Sequence, residues 1–270
     1  MIKTLLLLLT ISLSLFSYSD YDMDGVEDEM DKCPKTPFSD LVNSSGCTTK
    51  SLLSPHHFDM VFGINYSQTS YETLENTDNI SQGLQIDYYY KNFSLQASTS
   101  YYNSQSATYN DSGTNDSFIG VYYKLIPIEN LTLRLGAGAI IPTYESDLNN
   151  NNTDIIASTS LSYKLDNANV FGGFSYTIIN NDDIVEEGIS HQNTSSYNLG
   201  LGFYPTSVIY ISGAFNSSDS MYKDVDIINT ISINGFYTID ANWFTTLNYA
   251  YGLSDTASDN YASLRVGYYF

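Results

Sequence analysis

Between residues 20 and 31 the chain sets carboxylates on alternate positions: Asp20, Asp22 and Asp24, then Gly25, Val26, Asp28 and Asp31. A hard divalent cation takes six or more oxygens, and alternate aspartates in a tight loop converge on one. Gly25 permits the sharp turn, the Val26 carbonyl adds an oxygen and Asp31 closes the sphere from the far end. The chemistry on offer is Ca2+ binding by Asp20, Asp22, Asp24, Val26, Asp28 and Asp31. The plainer alternative, a solvated acidic leader, does not account for three aspartates and a glycine in that order.

Hydrolytic chemistry is poorly supplied. It needs a histidine base beside a nucleophile or an acid, and the chain has only His56, His57 and His191. His191 shares a polar stretch with Asp182, Asp183, Glu186 and Glu187, but a loop histidine is ordinarily a solvated one. The chain therefore reads as a non-enzyme, with an outer-membrane hydrolase as the remote alternative.

Lys3, the apolar run from Leu5 to Phe16, and the small residues Ser17 and Ser19 have the order of a secretory signal peptide over residues 1–19. No later apolar run approaches the ~20 residues of a spanning helix, so any insertion into a membrane must use strands. The formal charge of -20 excludes nucleic-acid partners, which require clustered Lys and Arg. Cys33 and Cys47 lie close together in a chain that leaves the cytoplasm, where an oxidising compartment pairs thiols. A shared metal is the weaker alternative, since no histidine is near.

After the aspartates come Lys32, Cys33, Pro34, Lys35, Thr36 and Pro37, then Asn43 and Gly46-Cys47. This resembles the thrombospondin type 3 repeat as it occurs in the linkers of OmpA-like outer-membrane proteins. The resemblance covers Asp20 to Cys47 and implies calcium on the aspartates and a Cys33–Cys47 disulfide. Such repeats usually come in series and lead to a wall-binding domain. Here one copy precedes the strand-rich region, so peptidoglycan anchoring is not carried over. A disulfide closing a loop of this size contributes roughly 3 kcal/mol, so with calcium the segment at 20–50 would be a stiff spacer.

Over residues 55–270 segments of ~10 residues with alternating polarity are separated by turns, about twelve in all. In the last, Leu264, Val266, Tyr268 and Phe270 alternate with Ser263, Arg265, Gly267 and Tyr269, giving a lipid face and an inner face. Connections alternate too. Short ones fall at Lys91-Asn92, Pro127–Asn130, Asp166–Asn169, Pro205–Ser207 and Asp240–Asn242; longer polar loops fall between, including Ser104–Asp116 and Asn181–Asn193. The expectation is an all-β fold, a transmembrane antiparallel barrel of about twelve strands with both termini at the short-turn rim. Tyr88, Tyr90, Tyr163, Trp243, Tyr249 and Tyr251 would form interfacial girdles. Tyr268 and Phe270 resemble the C-terminal signal read by the bacterial barrel-assembly machinery, with Arg265 where such signals often carry glycine. Lipid and lipopolysaccharide are the other expected partners, in a bacterial outer membrane with the calcium segment in the periplasm.

The inner face by alternation is mostly Ser, Thr, Asn, Gln, Gly and Tyr, for example Ser94, Gln96, Ser160 and Asn198. Its charges are Asp59, Asp87, Lys124, Arg134, Lys164 and Arg265. In an open lumen these make a constriction with a basic arc facing acids, and the barrel is an uptake porin for a small polar solute. Salt-bridged to one another they instead close it, leaving a structural or adhesive surface protein.

Overall fold

The protein is described from a computed structural model that covers residues 26–28, 30–33, 36, 42, 44–48, 56–70, 76–108, 110–144, 152–184 and 188–270. The leader at 1–19 and the calcium candidates Asp20, Asp22 and Asp24 lie outside the described residues. The strands are β1 (His56–Thr69), β2 (Thr77–Tyr90), β3 (Phe93–Gln105), β4 (Asn110–Thr114), β5 (Ser117–Ile128), β6 (Leu131–Ile141), β7 (Asp154–Leu165), β8 (Ala168–Ile178), β9 (Thr194–Thr206), β10 (Ile209–Ser218), β11 (Ile228–Thr238), β12 (Trp243–Gly252) and β13 (Asn260–Tyr269). Each pairs antiparallel with its sequence neighbour, except that β3 continues to β5 and carries the short β4 on its outer end. β1 pairs with both β2 and β13, so the sheet closes on itself. Thirteen strands less β4 leave twelve in the ring.

Polarity is inverted relative to a water-soluble barrel. Outward side chains are large and apolar and stay exposed, such as Leu199 at 63%, Leu201 at 65% and Ile233 at 61%. The buried set is mainly polar, including Asp59, Asp87, Ser94, Asn169, Thr177, Ser212 and Ser263, and among the described residues no side chain is fully buried. Since burying an apolar side chain contributes about 1.5–3 kcal/mol, this arrangement gains stability only where the outside is itself apolar.

The short turns and both barrel ends share one rim: Asp59 of β1 is opposite Tyr269 of β13. Lys91 and Asp166 hold positive φ (52° and 39°) at the first turn residue, which suits the twist of tight hairpins. Two turns are shorter than the sequence pattern suggested, because Pro127 lies in β5 and Pro205 in β9. The ladders skip residues beside both prolines, and that is how a strand accommodates a residue without an N–H. The polar stretch 104–116, expected to be a loop, instead carries β4, paired to β3 from Tyr101↔Thr114 to Gln105↔Asn110. Its alternating small polar residues extend the hairpin beyond the ring.

Aromatic side chains treat the two faces differently. Outside, Trp243, Tyr268 and Phe270 pack edge-to-face in series, while His56 stacks on Tyr88 and Tyr90 with Phe58 tilted against Tyr88, forming a girdle on the short-turn rim. Tyr163 lies on the same side, while Tyr249 and Tyr251 face outward near the opposite rim. Inside, rings lie flat over glycines directly across the ladder. Phe244 covers Gly267, Phe171 covers Gly200 and Tyr122 covers Gly136. A Cβ on Gly136 would sit 2.5 Å from the Tyr122 ring, and one on Gly267 would enter the Phe244 ring. Gly267→Ala should therefore cost about 1–3 kcal/mol through overpacking. Gly235→Ala, where a Cβ meets open space, should stay within about 0.5 kcal/mol of the parent. Denaturant midpoints of the two refolded variants check this.

Candidate functional site

The inward charges collect on one sector of the wall. Asp59 on β1 and Asp87 on β2 are directly opposite each other, and only 6% and 4% of their surfaces remain exposed. Tyr89 hydrogen-bonds Asp59. The Gln85 amide lies between an acid and a base: its Nε2 donates to Asp87 Oδ2 at 2.5 Å, and its Oε1 accepts from Arg265 Nη2 at 2.5 Å. Arg265 reaches Gln85 by lying across Gly63, where a Cβ would be 2.9 Å from its Cγ. On the other side Gln96 hydrogen-bonds Asp87 and accepts from the Tyr122 hydroxyl at 3.0 Å. The Arg134 guanidinium lies over the Tyr122 ring at 3.8 Å and donates to Ser94 Oγ at 3.4 Å.

A hydrogen-bonded and stacked relay thus runs Arg265, Gln85, Asp87, Gln96, Tyr122, Arg134. Asp87 lies in the field of both arginines. The two acids are adjacent on β1 and β2 and are flanked along one sector by Arg265 on β13 and Arg134 on β6, whereas the sequence suggested a basic arc facing acids. Lys124 is opposite Arg134 in the ladder. Lys164 is opposite Asn169 beside a short turn, away from the other five. Gln96 was placed on the inner face from sequence, whereas Gln85, Tyr89 and Tyr122 were not singled out. The available signal was their parity with Asp87 and Arg134 on the inner face.

Two lumenal cavities of about 210 Å³ each adjoin this relay. One is lined by Asp59, Asp87, Gln85, Arg265, Tyr89 and Tyr269, among others. The second lies between Arg134 with Tyr122 and the hydroxyls and amides of Ser158, Ser160, Ser175 and Asn198. Ser160 and Asn198 point inward yet are exposed, so the lumen keeps solvent-accessible space there. The strands β8 to β12 carry no charged residue, and their inner face is joined by cross-strand bonds such as Ser175–Ser196 at 2.6 Å, Asn216–Ser232 at 3.1 Å and Asn248–Asn234.

At the opposite rim the long connections from the one after β3 onward are tied in series by polar side chains. Asp116 accepts from the Thr143 and Tyr144 amides, Asn152 Nδ2 donates to the Asn180 carbonyl while Asn180 Nδ2 donates to the Thr153 carbonyl, and Thr256 Oγ1 donates to the Ile227 carbonyl. Thr69 at the end of β1 donates to Ser258 in the last connection. In sequence these connections are acidic, with Lys223 their one basic residue. His191 belongs to this collar: its side chain is 3% exposed, packs on the Tyr222 ring and has Nδ1 3.6 Å from Asp183 Oδ1. Its backbone amide donates to the same oxygen at 2.7 Å and holds the Asp183 carboxyl below the usual carboxylate range. That contact is present above the unfolded carboxylate value and is lost as pH falls through the lower folded one. His191 ties loops together, and its ring is withdrawn from solvent.

Ahead of the barrel, Cys33 and Cys47 form a disulfide with Cα atoms 4.9 Å apart. The Thr36 hydroxyl bonds the Cys33 and Gly46 carbonyls, and Lys32 N donates to Ser45 O. Asp31 Oδ1 accepts from Cys33 N at 2.7 Å, while its Oδ2 is buried with no hydrogen-bond partner. At the other end of the chain Phe270 N donates to Phe58 O at 2.9 Å, so the last residue seals the β1–β13 seam.

These features define a closed twelve-stranded antiparallel barrel of the porin fold, apolar outside and polar within. The chain belongs to the family described as "Protein of unknown function, DUF481", which matches residues 42–177, half of its length. No curated protein matches the sequence. Among solved structures it is similar to the NanC porin at 15% identity, with a TM-score of 0.51, over 79% of this chain and 98% of that one. It is also similar to the KdgM porin at 11% identity, with a TM-score of 0.52, over 77% of this chain and 99% of that one. A second KdgM structure, in complex with disordered oligogalacturonate, aligns at 12% identity with a TM-score of 0.50, over 77% and 98% of the two chains. At these identities the likeness is one of fold.

Proposed function

We propose that the protein is an outer-membrane uptake channel for small polar solutes. The observation that carries this is the treatment of inward bulk. Rings lie flat over glycines, and both inward arginines of the relay lie along the wall, over Tyr122 and over Gly63. Side chains that plugged the barrel would cross it. A hydroxyl- and amide-lined wall with fixed charges on one sector supplies exchangeable hydrogen bonds and a transverse field that orients a passing dipole. The likeness of fold to the NanC and KdgM porins agrees with this reading. The bound oligogalacturonate of KdgM is a polyanion; here the inward charges are two acids and four bases, and it is the acidic collar at the mouth that favours entry of cationic and dipolar solutes.

The exposed apolar band and rim girdles support contact with lipid, and the acidic collar facing outward supports cation-bridged contact with lipopolysaccharide. Tyr268 and Phe270, on the seam strand, fit a signal for the barrel-assembly machinery. Both barrel ends lie at the short-turn rim, which would put the N-terminal segment in the periplasm. That segment is proposed to hold Ca2+ through Asp20, Asp22, Asp24, Asp28, Asp31 and the Val26 carbonyl. Asp31 Oδ2, buried without a partner, is the donor in the described residues that fits a cation. The interlocked acidic loops also fit a second reading, a surface protein with a closed barrel.

Refolded protein in planar bilayers should give stable conductance steps, and their absence from a folded barrel would favour the second reading. Arg134→Ala should raise the cation-to-anion permeability ratio by about fivefold, the equivalent of about 1 kcal/mol for a unit charge at ~4 Å in water. Lys124→Ala should move it in the same direction. For the N-terminal segment, Asp31→Asn keeps the bond to Cys33 N and should weaken calcium binding by about tenfold or more in titration calorimetry, or about 1.4 kcal/mol.

A further inference from the structure

We propose that the cavity beside Asp59, Asp87 and Arg265 is a binding site for small zwitterions of the α-amino-acid class. The proposal rests on the channel reading for its role in uptake, and on geometry for its chemistry. Directly opposed like charges destabilise a strand pair, yet Asp59 and Asp87 stand directly opposite each other and both are more than nine-tenths buried. A cationic group placed between them would relieve that repulsion. Neither arginine of the relay stands between the two acids: the Gln85 amide separates Arg265 from Asp87, and Gln96 with Tyr122 separates Arg134 from it.

The spacing is what selects the ligand class. From Arg265 to Asp87 the protein sets a hydrogen bond, an amide, and a second hydrogen bond. The amide oxygen and nitrogen are separated by one carbon. An α-amino acid separates its carboxylate oxygen and ammonium nitrogen by two carbons, so one lying alongside the Gln85 amide in the cavity would reach the same two ends with full charges in place of dipoles. Capacity is left at both ends. A guanidinium carries five N–H donors and ionised carboxylates have about four acceptor sites each, more than Gln85, Gln96 and Tyr89 use. The ligand's ammonium would sit on Asp59 and Asp87, with the Tyr89 and Tyr269 rings beside it, and aromatic faces favour a cation. Its carboxylate would reach Arg265. At about 210 Å³ the cavity is smaller than the roughly 300–1,000 Å³ of drug-sized sites, which fits a solute of metabolite size.

The test uses the full chain refolded in detergent micelles for titration calorimetry, and in planar bilayers for single-channel recording. L-alanine is the probe, with propionate and ethylammonium as one-ended controls. L-alanine should bind saturably and interrupt the current, and each control should bind at least about tenfold more weakly, since each forfeits one charge-assisted set of hydrogen bonds. Asp87→Asn and Arg265→Gln should each weaken L-alanine by about tenfold or more. Should either variant fail to fold, the comparison of L-alanine with its one-ended analogues on the unmodified chain decides the matter. Equal binding of the three solutes, no saturable binding of L-alanine to folded protein, or affinities unchanged in both variants would overturn the site. Binding to a barrel that does not conduct would support the site and overturn the channel reading beneath it.

Discussion

Closure of the hydrogen-bond ladder between β1 and β13 is the constraint on which everything else depends. A sheet facing hydrocarbon has no water for unpaired backbone groups, each of which costs several kcal/mol, so an open edge is not tolerated. Ten successive residue pairs, from Asp59↔Tyr269 to Gln68↔Asn260, close that edge, and Phe270 N adds a bond to Phe58 O at its end. Once the ring is closed, the two-residue period fixes every side chain as inward or outward. The chain then needs apolar residues on one parity and polar ones on the other, which is the distribution seen from Phe58 to Phe270.

Closure also sets how the interior is used. Eight strands leave an interior that side chains fill, and sixteen or more leave an aqueous channel. At twelve, the outcome rests on where bulky inward residues lie. Here the glycine opposite each of several aromatic residues takes the ring onto the wall, and the same device lays Arg265 across Gly63. Charged groups are thereby held at the perimeter by neighbours on adjacent strands, with Gln85 and Gln96 linking the acidic and basic members. The collar at the other rim solves a different problem, holding long acidic connections together with amide and hydroxyl bonds in place of an apolar core.

Much of the architecture was legible in the sequence because period-two patterning is a local property. The alternation of Leu264 and Val266 with Ser263 and Arg265 gives strand and face together, and the alternation of short and long connections gives the rim on which the ends meet. What was not legible depends on register. That Gly136 lies under Tyr122, or that Gln85 stands between Arg265 and Asp87, follows from which residues face each other across a ladder, and one chain read alone does not carry that information. Pro127 and Pro205 looked like turn residues because proline lacks a donor, but strand ends with skipped pairs accept them. The stretch at 104–116 looked like a loop because its residues are polar, although β4 needs only backbone partners beyond the ring. Asp20, Asp22 and Asp24 remain a reading of spacing, joined to the structure through Asp31.

The central claim is that alternate residues of one strand face water in the lumen and apolar surroundings outside. The chain's two cysteines are joined in a disulfide, so introduced thiols on β7 report on it cleanly. Single cysteines at Ser158, Ser160, Leu161 and Ser162 in barrels reconstituted into vesicles would be challenged with a charged, membrane-impermeant thiol reagent. The account predicts rapid modification at 158, 160 and 162, with reduced conductance, and protection at 161. Equal reactivity at Leu161 and Ser160, or protection of all three serine positions, would contradict it.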